Sequence, residues 1–182
     1  MLKFQIFYFQ NLTLENKQLL KFNMINNLTY SDAKFSKDRV YRYALWRTWD
    51  EELPKLLFIG LNPSTADEIN DDPTMRRCIR FSKDLGYGGF IMANIFAYRS
   101  TDPSKLRDVS EPVGRRNNYW IKKLDKEAGM TIAAWGTHGK YLDRGSQVMK
   151  LINNLYCLKK TKDGFPAHPL YLSSTLKPFK YS

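Results

Sequence analysis

Strand-sized apolar runs alternate with helix signals along most of this chain, and the connections between them are short. "KLLFIG" reads as a buried strand ending at Gly60, followed by "DDPTMRRCIRFSKDLGYGG". There Asp72 stands at an N-cap, Pro73 at the first helical position and Gly86 at the stop, with Met75, Cys78, Ile79 and Leu85 at helical spacing. "FIMANIFAY", a capped turn at "STDPSKL", a helix ending "IKKLDKEAG", the strand "MTIAAWG", a helix through "RGSQVMKLINNL" and the short strand "YCLKK" continue the pattern. Upstream, "RVYRYALWRT" (Arg39 to Thr48) has the period-two polar interruptions of an antiparallel strand. Alternation of this kind favours right-handed βαβ units. The fold expected is an α/β three-layer sandwich with a mainly parallel, four-stranded central sheet and an added N-terminal antiparallel strand.

The bulk numbers bound what such a sheet belongs to. A chain of 182 residues with 43% hydrophobic content is one domain by length. No stretch approaches the roughly 20 apolar residues that a membrane span needs. Two cysteines and two histidines are too few for a disulfide framework or a zinc knuckle. The expectation is therefore a reducing, cytoplasmic setting with no metal and no cofactor. The opening "MLKFQIFYFQNLTLENKQLLKFN" lacks the basic start and cleavage site of a secretory signal. Residues 1–26 are set apart as an N-terminal extension, and 27–182 as the single domain.

A net charge of +11, from 29 Lys+Arg against 18 Asp+Glu, favours a polyanionic partner. Nucleic acid or a nucleotide is the commonest such partner, and solvated surface lysines are the plainer reading of the same number. Parallel sheets bind ligands outside the carboxyl ends of their strands. Those ends carry "NPST" (Asn62 to Thr65), "NIFAYR" (Asn94 to Arg99), "WGTHGK" (Trp135 to Lys140) and "AHPLYLSS" (Ala167 to Ser174). Asn62, Asn94, His138 and His168 should therefore share one rim.

Four of these segments resemble, in order, motifs of the uracil-DNA glycosylase superfamily: "FIGLNPS", "IMANIFAYR", "AAWGTHGK" and "TKDGFPAHPLYLS". The set "LNPSTAD", "DDPT", "GYGG", "PVG", "AWG" and "HPLYL" resembles, more narrowly, an uncharacterised bacterial and phage family, number 1643 among domains of unknown function, which brings no established activity. The glycosylase resemblance implies that Asn62 places the water that attacks the sugar C1′ and that His168 hydrogen-bonds the departing base. It also implies that Asn94 reads the base edge, that Phe96 stacks on the base, and that Ser64, Thr65 and Ser173, with Arg99 and Lys140, grip phosphate. Two departures stand out. "HPLYL" puts Leu170 and Tyr171 where the superfamily has a phosphate-pinching Ser-Pro pair, leaving Tyr171 or Leu172 as a wedge. Asn62 stands where the most active members have a carboxylate, which implies slow chemistry or a different substrate.

Each residue has a structural rival. Asp72 and Asp102 read as helix caps before proline, Trp135 and Phe96 as core, and Asn94 as a turn residue. Asp67 caps its own loop or reaches a water, and is kept as a catalytic candidate. Three classes follow: a nucleobase N-glycosidase or related nucleotide-processing enzyme, a binding module that retains the base pocket without turnover, and a metal-dependent hydrolase of a phosphorylated metabolite.

Overall fold

The computed structural model describes residues 13–182. Of the N-terminal extension, 1–12 lie outside the described residues. The rest forms helix α1 (Leu14–Ile25), whose N-cap Thr13 accepts from the Asn16 N–H and which buries no residue. It touches the domain through Phe22, whose ring lies 5.0 Å from the Arg47 guanidinium, and through Asn23, which accepts from Ser31 Oγ.

Seven strands follow: β1 (Tyr30–Phe35), β2 (Arg42–Thr48), β3 (Lys55–Gly60), β4 (Gly89–Asn94), β5 (Met130–Ala133), β6 (Leu155–Cys157) and β7 (Phe179–Lys180). They form one sheet in the order β1-β2-β4-β3-β5-β6-β7. Pairings β3 with β4, β3 with β5 and β5 with β6 are parallel; β1 with β2, β2 with β4 and β6 with β7 are antiparallel. The fold is thus α/β, but the sheet is mixed and seven-stranded where the pattern predicts a mainly parallel sheet of four. The additions have a physical reason for being invisible. "YSDAKF" of β1 is a half-polar edge strand, and two-residue β7 is too short to carry any period.

Side-chain alternation along the central strands makes two cores. Leu57 and Ile59 of β3, with Ile91 and Ala93 of β4, face Trp120, Ile121 and Leu124 of helix α3 (Asn117–Glu127) and Val148 of helix α4 (Arg144–Met149). Leu56, Phe58, Phe90 and Met92 face Met75, Cys78 and Phe81 of helix α2 (Pro73–Asp84). Helices therefore cover both faces. The α2 start is as the sequence predicts: Asp72 Oδ1 accepts from the Met75 N–H at 2.8 Å, Pro73 opens the helix and Gly86 leaves it at φ +80°. Helix α4 is shorter than its sequence suggests, ending at Met149 before the Asn153-Asn154 turn. Cys78 and Cys157 are both free and buried. Among the described residues no helix is long and apolar enough to cross a membrane.

Between β3 and α2 runs the loop from Leu61 to Asp72, held by two buried arginines of β2. Arg42 Nη1 donates to the Ala66 carbonyl at 2.6 Å. Arg47 donates to the carbonyls of Asp67 (2.7 Å) and Asn70 (3.3 Å) and pairs with Asp71 at 2.9 Å. Burial pushes the Arg47 pKa down and the Asp71 pKa up despite their mutual attraction. Desolvation thus outweighs the pairing, and the pair fixes a position more than it adds stability. Removing one partner is costlier still, because the other charge is left buried. Asp71→Ala should lower stability to urea unfolding by about 3 kcal/mol. Glu68→Ala, which breaks the exposed pair with Arg39, should cost under about 1 kcal/mol. Equal losses from the two would show that burial does not set the difference.

Candidate functional site

A cleft of about 480 Å³ opens at the carboxyl ends of β3, β4 and β5. Its walls include Asn62 and Ser64 after β3, Asn94 at the end of β4, Trp135, Gly136, Thr137 and His138 after β5, and Ala167, His168 and Pro169 from the later loop. Asn62, Asn94, His138 and His168 thus line one cavity. Glycine is required at two points of its wall. Gly136 has φ +68° and ψ −169°, a region that only glycine occupies at little cost, and its N–H donates to the Pro166 carbonyl, joining the β5 loop to the His168 loop. At Gly60 a Cβ would stand 2.8 Å from Asn94 Nδ2.

The amide of Asn62 is fixed by its own loop. Nδ2 donates to the carbonyls of Pro63 (3.1 Å) and Ser100 (2.8 Å). Carbonyls accept only, so this assignment leaves Oδ1 as the acceptor available to a water or a ligand. Asn94 is 4% exposed. Its Oδ1 lies 3.5 Å from Arg42 Nη2, and its Nδ2 has no partner among the described residues. Asn117, from the opposite face, donates through Nδ2 to the carbonyls of Asn94 and Ile95 and holds that strand end in place.

His168 caps the short 3-10 turn Pro169–Tyr171, with Nδ1 accepting from the Leu170 N–H at 3.4 Å. That bond selects the neutral tautomer with the proton on Nε2, a donor. Solvent reaches the ring, yet the surrounding protein costs the imidazolium hydration, and burial lowers the pKa; the nearby Asp72 carboxylate opposes the shift. Neutral imidazole is therefore the resting form near pH 7.

The other predicted residues separate. Ser64 lines the cleft and also an adjoining shallow depression of about 390 Å³ that contains Thr65 and Arg99. Lys140 and Ser173 are exposed and line neither. Two candidates are corrected. Asp67 is outside the cleft, and its carboxylate accepts from the Ile69 and Asn70 N–H groups and from Asn70 Nδ2, the geometry of a turn-closing residue. Phe96 is fully buried, packed 5.6 Å from the Tyr141 ring, so no base can stack on it.

Residues 42–170 match the family described as protein of unknown function (DUF1643). The chain belongs to this family. No curated protein matches the chain. The matched segment begins at Arg42, the first residue of β2, and ends at Leu170, just after His168, so it contains every residue that lines the cleft.

Two cleft residues are not among the site residues expected from the sequence. Asp72 is a helix cap, as its place before Pro73 suggests, but it also lines the cavity, and its Oδ2 has no partner among the described residues. Arg42 lines it too, at 1% exposure, with its pKa pushed down to about 10 by burial. In "RVYRYALWRT" it reads as one of the polar interruptions of a half-exposed strand, and nothing local distinguishes it from Arg39. Among the described residues no group of three or more His, Cys, Asp or Glu side chains could hold a metal ion.

The Asp72 carboxylate favours the charged imidazole. Asp72→Asn, which preserves a capping side chain, should therefore lower the His168 pKa further below its ordinary value. An NMR titration of the imidazole C–H resonances, assigned with His138→Gln, checks the direction; an upward shift would contradict the arrangement.

Proposed function

We propose that the cleft holds a nucleobase and that the protein hydrolyses an N-glycosidic bond, on nucleic acid or on a nucleotide. The observation that carries this reading is the meeting of Asn62, Asn94 and His168 in one cavity, each with the needed hydrogen-bonding group unspent. Asn62 Oδ1 accepts from a water and aims it at C1′. The C1′–N bond breaks with its electron pair on the base, the water oxygen bonds to C1′, and the released proton ends on the base nitrogen. Such a reaction passes through a cationic sugar and an anionic leaving group, so placement of water and stabilisation of charge suffice without a strong base. His168 Nε2–H donates to the departing base, and Asn94 offers Nδ2–H to its edge. The uracil-DNA glycosylase resemblance supports the same assignment, with the parallel run β4-β3-β5-β6 as the corresponding core.

The surroundings suit a phosphate-bearing substrate. Ser64, Thr65 and Arg99 gather in the depression that shares Ser64, Ser100 and Thr101 with the cleft, a seat for phosphate beside the base. Tyr171 is 90% exposed one turn beyond His168, whereas the Leu172 carbonyl is held by Arg77 and its side chain packs on the core. Tyr171 is thus the residue available to stack against a neighbouring base.

The test is incubation with modified-base oligonucleotides and nucleotides, with mass spectrometry of released free base. Asn62 and His168 act mainly in the transition state, so Asn62→Ala and His168→Ala should each slow single-turnover release by about 100-fold while affinity changes little. Asn94→Asp should instead change which base is accepted. Affinity for oligonucleotides should fall steeply with salt. Base-dependent binding without release would make the protein a binding module; neither binding nor release would overturn the base-site reading.

A further inference from the structure

The hydrolytic scheme leaves a buried cation at the cleft wall unused. Arg42 is 1% exposed, and no carboxylate pairs with it among the described residues. Nη1 is held by the Ala66 carbonyl and Nη2 contacts Asn94 Oδ1, while Nε is buried with no partner. Burying a cation without an ion partner is costly. Holding the Ala66 carbonyl requires one donor, which a neutral amide would supply without the charge. The charge therefore calls for a role of its own.

The groups around Arg42 narrow that role. Asp72 and Asp67 favour its charged form and Arg99 and Arg47 oppose it, Arg47 being itself paired with Asp71. Asp72 already caps α2 through Oδ1. What remains at the Asn94 end of the cleft is a cation touching an amide whose Nδ2–H has no partner. The contact at Oδ1 polarises that amide, so negative charge on a ligand accepting from Nδ2 interacts with the guanidinium both directly and through Asn94.

We infer that Arg42 and Asn94 together form an anion-selective subsite, and that the cleft prefers a heterocycle carrying negative charge, on a ring nitrogen or on a substituent carboxylate, over its neutral counterpart. This rests on the nucleobase reading of the cleft. The subsite selects among bases in the ground state, and it stabilises the leaving group as the C1′–N bond breaks, because the base takes on charge where the cation already stands.

Calorimetry on the full chain tests it with five free bases. Uracil and hypoxanthine are the neutral references, 5-nitrouracil and xanthine lose a ring proton far more readily, and 5-carboxyuracil carries its charge on a substituent. Affinity for 5-nitrouracil or xanthine should rise at least tenfold as pH carries the ligand through its own ionisation, if the ring anion is the preferred form. A tenfold preference for 5-carboxyuracil over uracil at constant pH would assign the charge to the substituent instead. Uracil and hypoxanthine over the same range report titration of Asp72, His138 and His168. Arg42→Gln, whose amide can still donate to the Ala66 carbonyl, should abolish the preference, so that charged and neutral bases bind alike, and Arg42→Lys should retain part of it. If Arg42→Gln does not fold, the native protein decides alone. Affinities that ignore ligand charge overturn the inference while leaving the base pocket intact. Binding of none of the five removes the base reading and the inference with it.

Discussion

Everything in the site depends on two arginines of one strand gripping one loop. Arg42 and Arg47 of β2 hold the carbonyls of Ala66, Asp67 and Asn70, and Arg47 also binds Asp71. The loop so fixed begins at Leu61, carries Asn62 and Ser64, and ends with Asp72 at the head of α2, so four cleft residues take their positions from it. Loop backbone next to a core carries polar groups that must be paired, and two guanidiniums supply up to ten N–H donors in rigid forks. Lysine at position 47, a single point of donation on a flexible stem, would not hold the carbonyls of Trp46, Asp67 and Asn70 at once.

The opposite face of the sheet completes the clamp. Asn117 at the start of α3 donates to the carbonyls of Asn94 and Ile95, and Arg144 at the start of α4 donates through Nε to Ile95 as well. The turn after β4 is thus held from the α3 and α4 side, and the loop after β3 by β2. Backbone bonds join the two: Ile95 and Phe96 donate to Gly60 and Leu61, and Ser100 donates to Pro63. A site whose supports arrive from both faces has little freedom to relax, which is what the proposed reaction, catalysed by placement, would require.

This division of labour explains what could be read in the sequence. Strand and helix identity for the β3 to β6 region follows from local period and caps, and strand ends follow from strands, so Asn62, Asn94, His138 and His168 were legible as companions. Arg42 was not, because its burial comes from a loop 24 residues downstream that no local pattern connects to it. Phe96 lies two residues past Asn94, and only the packing of Tyr141 shows that its ring turns into the core. The antiparallel strands β1 and β7 draw their partners from tertiary context, and their own residues carry little period.

Asp67 and Asp72 show the same limit within a single loop. Both are aspartates in a turn, and each accepts from a backbone N–H two or three residues on. Yet Asp67 spends its carboxylate on the turn, with both oxygens engaged, while Asp72 retains Oδ2 and faces the cavity. Among the described residues that line the cleft, Asp72 is the single carboxylate, and it stands near an imidazole held neutral and a guanidinium held charged. No strong base is free to act alone in such a set. Proton abstraction from a reluctant substrate would find little driving force here, whereas a bond that breaks toward a stable anion needs only a placed water and a waiting cation. On the proposed glycosidic reading, the chemistry of the cleft is set by its leaving group more than by its base.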